Sequence, residues 1–258
     1  MSALKRWAGR LVLSFQFLTR VPIPLSVSYE GVDFAGSMVF FPIVGLFIGA
    51  LMAGGFLLGQ WLGGAALGAA LALVMAFWVT GGLHIDGLAD LWDALYSGKD
   101  TERQLEIMKD SRVGTFGVLG ILFSQGMRFV GIYALALSGR PVWPLLLALP
   151  VLGRVGVVFA AAGGRYARPT GTGQHFIALT GWGHYAAMLL VACALLLPIL
   201  GLAETGLYLC GAGVTAGVFL LRMTRRFGGV TGDMLGASGE FCEIVALLLM
   251  LLWGRLVP

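Results

Sequence analysis

From Phe34 to Ile85 the chain carries no Asp, Glu, Lys or Arg. Nearly all of that stretch is apolar, and it is too long for one bilayer crossing, which takes about 20 residues. It reads as two spans, 37–59 and 64–83, joined at Gly63-Gly64, where paired glycines favour a turn. Composition agrees with a lipid-embedded chain. Of the 258 residues 58% are hydrophobic and only 12% are charged, against about 25% charged in soluble domains, and the mean hydropathy is +0.89. The 40 glycines suit close helix packing in lipid.

Further apolar stretches predict spans at 115–137, 141–162, 183–202, 205–221 and 235–254. The expected fold is therefore all-α: one polytopic membrane helix bundle over residues 1–258, with about seven spans. Residues 4–20 read as an amphipathic or partly embedded helix ended by Val21-Pro22-Ile23-Pro24, because Gln16 and Arg20 interrupt the apolar run. With the N-terminus placed in the cytoplasm, Lys5, Arg6, Arg10, Arg20, Lys99, Arg103, Lys109, Arg112, Arg165, Arg168, Arg222, Arg225 and Arg226 fall on the cytoplasmic side. Only Arg140 and Arg255 fall opposite, as the positive-inside rule requires. The formal charge of +4 then reflects topology, and nucleic acid is not an expected partner. Cys193, Cys210 and Cys242 sit in apolar stretches without disulfide or zinc spacing.

The same map gathers every polar segment on one face. Asp86, Asp90 and Asp93 follow directly on the second span. Steps of four and three residues keep them within an arc of about 60° on a helix. Like charges so placed repel, and a divalent cation reverses that cost. Oxygen donors at this spacing suit Mg²⁺; an acidic helix start facing water is the alternative. Asp110, beside Arg112, is a candidate fourth ligand, and Arg112 a candidate phosphate contact; an ordinary membrane-edge charge cluster explains them equally well. His84 adjoins the acids and reads as a substrate contact, since Mg²⁺ prefers oxygen. The glycine-rich loops 163–175 and 227–233 are candidate rims of a cavity. In the second, Gly229, Thr231, Gly232 and Asp233 form a turn whose amides could face an anion. Arg154 and Glu240, like Arg128 and Glu243, are charges within or near spans. They face either substrate or one another as ion pairs. His175 is a further candidate substrate contact in its loop.

At these residues the chain resembles the cobalamin synthase family, the adenosylcobinamide-GDP ribazoletransferases. The landmarks are FLTRVPIP at Phe17 to Pro24, GGLHIDGLAD at Gly81 to Asp90, Asp93, IMKDSRVGTFG at Ile107 to Gly117, and GGVTGDMLGA at Gly228 to Ala237, with Glu240 and Glu243 behind. The resemblance implies transfer of the adenosylcobinamide phosphate moiety from adenosylcobinamide-GDP to α-ribazole or α-ribazole 5′-phosphate, with release of GMP. It implies Mg²⁺ as cofactor, held by Asp86, Asp90, Asp93 and Asp110, with one of these, such as Asp110, taking the nucleophile's proton. His84, Arg112, Arg154, Gly229, Thr231, Gly232, Asp233 and Glu240 would bind substrate. The bacterial cytoplasmic membrane is the expected location. Besides its substrates and the lipid bilayer, the expected partners are copies of the chain or other enzymes of nucleotide-loop assembly. A weaker similarity of DGLAD and Asp93 to the acidic motif of CDP-alcohol phosphotransferases keeps that class as the nearer alternative. A transporter is the more distant one.

Overall fold

The computed structural model describes residues 3–27, 31–171 and 173–256, without the side chains of residues 3, 175 and 176, so the His175 contact lies outside the described residues. The described chain is helical, and its one β-bridge joins Tyr166 to Val230. In chain order the helices are α1 (Ala3–Leu18), α2 (Gly31–Ser37), a 3₁₀ turn (Met38–Phe40), α3 (Phe41–Gly63), α4 (Ala65–Thr80), α5 (Leu83–Tyr96), α6 (Thr101–Ile107), α7 (Thr115–Leu137), α8 (Trp143–Gly163), α9 (Gln174–Leu179), α10 (Trp182–Phe227) and α11 (Gly232–Leu256).

Five of these segments are long and apolar enough to cross a membrane, or six when the bent pair α4–α5 is taken as one crossing. The chain is a multi-pass helical membrane protein. Three of the seven expected spans differ in form from the expectation. The stretches 183–202 and 205–221 lie in one 46-residue element, α10, broken at Gly201 by φ 77° and ψ 175°. The 64–83 span ends early: α4 stops at Thr80 and α5 leaves at 91° to it.

Helix α8 forms the centre, buried along most of its length. Its neighbours approach at backbone distance. A Cβ on Gly49 of α3 would lie 2.6 Å from the carbonyl of Leu146 in α8. Such contact is how helices associate where lipid supplies no hydrophobic drive. Outward faces stay apolar, as at Leu57, Trp61, Trp78, Phe123, Leu190 and Val214. On a water-soluble molecule so large an apolar surface would aggregate; here it fits lipid. Helix α1 is not among the candidate spans. Arg6 and Arg10 tie it to Asp33 of α2, at 2.8 and 3.1 Å.

Four charges lie deep in the bundle. Arg154 of α8 donates to Glu243 of α11 at 3.0 Å. Arg128 of α7 pairs with Glu243 and, at 3.3 Å, with Glu240, which also accepts the Ser124 hydroxyl at 2.9 Å. All four side chains are at most 5% exposed. Two cations balance two anions, so the group is neutral. Of the two alternatives open for Arg154 and Glu240, the structure presents the ion pairs.

Candidate active site

The sequence Thr80-Gly81-Gly82-Leu83 makes the turn on which the site depends. Gly81 and Gly82 both take left-handed φ, 63° and 76°, where a side chain is strained. Gly81 has no room for one in any case, because the guanidinium of Arg20 lies against it. The main-chain amide of Arg20 also donates to the Val79 carbonyl at 2.7 Å. The end of α1 is thus fastened to the point where α4 gives way to α5.

Beyond the turn, α5 runs past the end of the expected 64–83 span and packs on the start of α11. A Cβ on Gly87 would sit 2.6 Å from the Asp233 carbonyl oxygen, so only glycine lets the two backbones approach. That contact brings Asp233 to Asp86 and Asp90 across a long sequence interval. Burial, then the charges of Asp233, Asp86 and Asp93, push the Asp90 carboxyl up to about 7, with Arg168 opposing. Arg168 donates to Asp233 at 3.0 Å, and Thr231 donates to the same oxygen at 3.2 Å. The loop carrying Arg168 is tied to the loop before α11. The Val230 amide donates to Arg165 at 2.7 Å and the Ala167 amide to Val230 at 3.0 Å. Gly229 is buried against the Arg165 carbonyl, and Gly232 lies beside Asp233 on the wall of a cavity.

Asp93 has a different environment from its two partners. Its carboxylate accepts the main-chain amides of Gly114 at 2.6 Å and Gly117 at 2.8 Å. It therefore satisfies free donors at the start of α7, the usual task of a capping carboxylate. Asp110 is exposed and bonded to Arg112 at 2.8 and 3.0 Å. The Arg112 bonds hold Asp110 down at about 2. Neither residue lines the cavities beside α5.

Two cavities flank α5. One, of about 500 Å³, is walled by Phe17, Phe34, Phe41 and Leu235, with Asp86 and Asp233 on its polar side. The other, of about 550 Å³, has Gln16, Arg20 and Thr80 in its wall. Phe17, Leu83 and Asp86 belong to both. His84 lines the first and also a narrow gap of about 30 Å³ beside Arg128, Arg154, Glu240 and Glu243. The ion network thus stands behind the site.

Among the described residues, no three His, Cys, Asp or Glu side chains converge on one ion position. The donors nevertheless fit a hard cation in kind. Asp86, Asp90 and Asp233 offer only oxygen, and at Asp90 burial first, then the neighbouring carboxylates, disfavour the bare charge that a cation would offset.

The profile of the cobalamin-5-phosphate synthase family matches residues 10–251. The chain belongs to that family. It is similar to the adenosylcobinamide-GDP ribazoletransferase of Chlorobium phaeobacteroides, 35% identical over 91% of this chain and 94% of that protein. The ribazoletransferase of Clostridium botulinum is 34% identical over 96% and 100% of the two chains, and that of Alkaliphilus oremlandii 36% over 92% and 95%. No solved structure matches the chain. The landmarks GGLHIDGLAD and GGVTGD thus meet in space, at Gly87 and Asp233. Arg20, in the wall of the second cavity, and Arg168, bonded to Asp233, adjoin this candidate site, and in the sequence both counted among the cytoplasmic charges. The signal for each was its place within a polar landmark segment, FLTRVPIP or RYARPTGTG.

Proposed function

We propose that the chain carries out the family's transfer at the carboxylates of α5. Adenosylcobinamide-GDP donates its cobinamide phosphate to a free ribose hydroxyl of α-ribazole or α-ribazole 5′-phosphate; that hydroxyl loses its proton, the pyrophosphate bond breaks, and GMP leaves. Family membership supports the reaction. The observation that carries the location is Asp86, which lines both cavities and stands where two substrates can meet. In-line displacement at phosphorus needs nucleophile and leaving group on opposite sides, and two cavities that share one carboxylate give each substrate its own place beside it.

Asp86, Asp90 and Asp233 would hold Mg²⁺. When bound there, it would polarise the pyrophosphate and offset the charge on departing GMP. Arg168 keeps Asp233 in place through the bond at 3.0 Å. Arg20, exposed in the second cavity, supplies a guanidinium for the donor's phosphates. Asp93 positions α5 against α7. Asp110 and Arg112 stay outside this centre. The test is GMP release by the membrane-embedded protein from adenosylcobinamide-GDP and α-ribazole, with and without Mg²⁺. Turnover that ignores Mg²⁺, or CMP release from a CDP-alcohol, would reject the reading.

The Asp90 carboxyl gives a pH dependence. In the metal-free protein its raised pKa means that the native state keeps a proton the unfolded chain loses above about pH 4. Its contribution to stability therefore falls as pH rises from about 4 towards about 7. Mg²⁺ competes with that proton. The Mg²⁺ concentration giving half-maximal activity should fall as pH rises to about 7, then level off. Titrations of GMP release between pH 6 and 8.5 check this, and a constant half-maximal concentration would contradict it.

The bundle crosses the bilayer seven times in this reading, with the site facing the cytoplasm. The 46 residues of α10 would measure about 70 Å as one rod, twice a bilayer core. Its start packs near the α8 C-terminus, Trp182 against Phe159 at 5.1 Å. Its middle meets the α7–α8 connection, Glu204 to Arg140 at 2.5 Å. Its end returns to α6, Arg226 to Gln104 at 3.0 Å. Those contacts support two crossings hinged at Gly201. The expected result is an external reading from a reporter fused after Pro258; a cytoplasmic reading removes the seventh crossing.

A further inference from the structure

The two cavities beside Asp86 differ in chemistry, and the difference sorts the substrates. We infer that the cavity of about 500 Å³ seats the flat aromatic base of the acceptor nucleoside, an inference that rests on the reaction proposed above.

Its wall is made by Phe17 at the end of α1, Phe34 of α2, Met38, Phe41 at the start of α3, Val157 of α8 and Leu235 of α11. Phe17 meets Phe34 edge to face, with centroids 4.7 Å apart, and runs nearly parallel to Phe41 at 6.2 Å. Such a wall takes a flat aromatic group by area burial and ring contact. The volume lies in the range of small-molecule sites. It suits a bicyclic base with its ribose.

Guanine would also match in size, but not in polarity. Its ring edge carries several donors and acceptors, and an apolar wall would leave them desolvated and unpaired. A dimethylbenzimidazole, the base of α-ribazole, presents methyl groups and carbon edges instead. The polar end of the cavity is also correctly placed. Asp86 and Asp233 stand there, so a base held among the phenylalanines would direct its ribose towards the reacting phosphorus. The donor is left the second cavity, where Arg20, Gln16 and Thr80 offer polar contacts.

The experiment uses the full-length protein in nanodiscs with free dimethylbenzimidazole as the probe. In steady-state GMP release the base should inhibit competitively against α-ribazole and non-competitively against adenosylcobinamide-GDP. Phe34→Leu keeps apolar bulk and removes the ring. It should raise the KM for α-ribazole several-fold while the KM for adenosylcobinamide-GDP stays within twofold. Equilibrium binding of the base, which needs no turnover, should weaken in the same variant by the same factor. Competition against adenosylcobinamide-GDP, or no binding by wild type at the solubility limit of the base, would overturn the assignment. A wild-type protein that binds the base but releases no GMP would instead reject the reaction and leave the base site standing.

Discussion

Asp86→Asn is expected to lower GMP release by about 10²–10³-fold, the usual loss when one preorganised electrostatic group is removed from a reacting centre. Asp86 is exposed in the first turn of α5 and lines both cavities. Asparagine keeps its shape and removes the charge that a metal–pyrophosphate unit needs. The thermal midpoint should hardly change, because relief of repulsion with Asp90 offsets the lost helix-start charge. Asp93→Asn should behave differently. Both Asp93 oxygens accept main-chain amides of α7, so the variant should lose about 1 kcal/mol of stability, as a weakened cap does, and a smaller share of turnover. Measured at saturating substrates with Mg²⁺ varied, Asp86→Asn within threefold of wild type would remove Asp86 from the reacting centre. Equal losses at Asp86 and Asp93 would restore the three carboxylates to one role.

The sequence alone treats those three aspartates alike, and the reason is general. Helical spacing places residues on one face of their own helix, but it does not say which neighbour each residue meets. Asp86 meets cavity, Asp90 meets Asp233, and Asp93 meets the α7 start, across an arc of only about 60°. The charge-free run, the apolar spans and the paired glycines were legible because hydropathy and turn chemistry are local. The right-angle turn at Gly81-Gly82 was not. Two glycines mark a turn without stating its direction, which the guanidinium of Arg20 and the Gly87–Asp233 contact help to hold. Likewise Gly201 is one glycine among many, and only its φ of 77° makes it the break in α10. The aromatic wall was hidden for a further reason. In a chain so apolar, single phenylalanines carry no signal, and only the fold brings Phe17, Phe34 and Phe41 to one cavity with Leu83 and Asp86 of α5.

Glu243→Gln is expected to destabilise the folded bundle by about 3–5 kcal/mol, the cost of leaving a buried charge without its partner. Glu243 is the shared acceptor of the network: it pairs with Arg128 and, at 3.0 Å, with Arg154. Glutamine preserves the volume and one acceptor, yet leaves two guanidinium groups against Glu240 alone. Arg154 would keep the Pro150 carbonyl, at 3.4 Å, and at most a neutral amide oxygen in place of its carboxylate. The surplus positive charge has no route to water, since all four side chains are at most 5% exposed. A second substitution separates this cause from a packing defect. Adding Arg154→Met to Glu243→Gln restores neutrality with Arg128 and Glu240 still paired, so the double variant should recover much of the lost thermal midpoint. Midpoints in nanodiscs measure this directly, and a double variant less stable than Glu243→Gln would show that the guanidinium of Arg154 supports the fold by itself. Activity should follow the same order, because Arg154 and Glu243 line the gap that His84 shares with the apolar cavity. Charge misplaced behind His84 would disturb the start of α5, and with it Asp86.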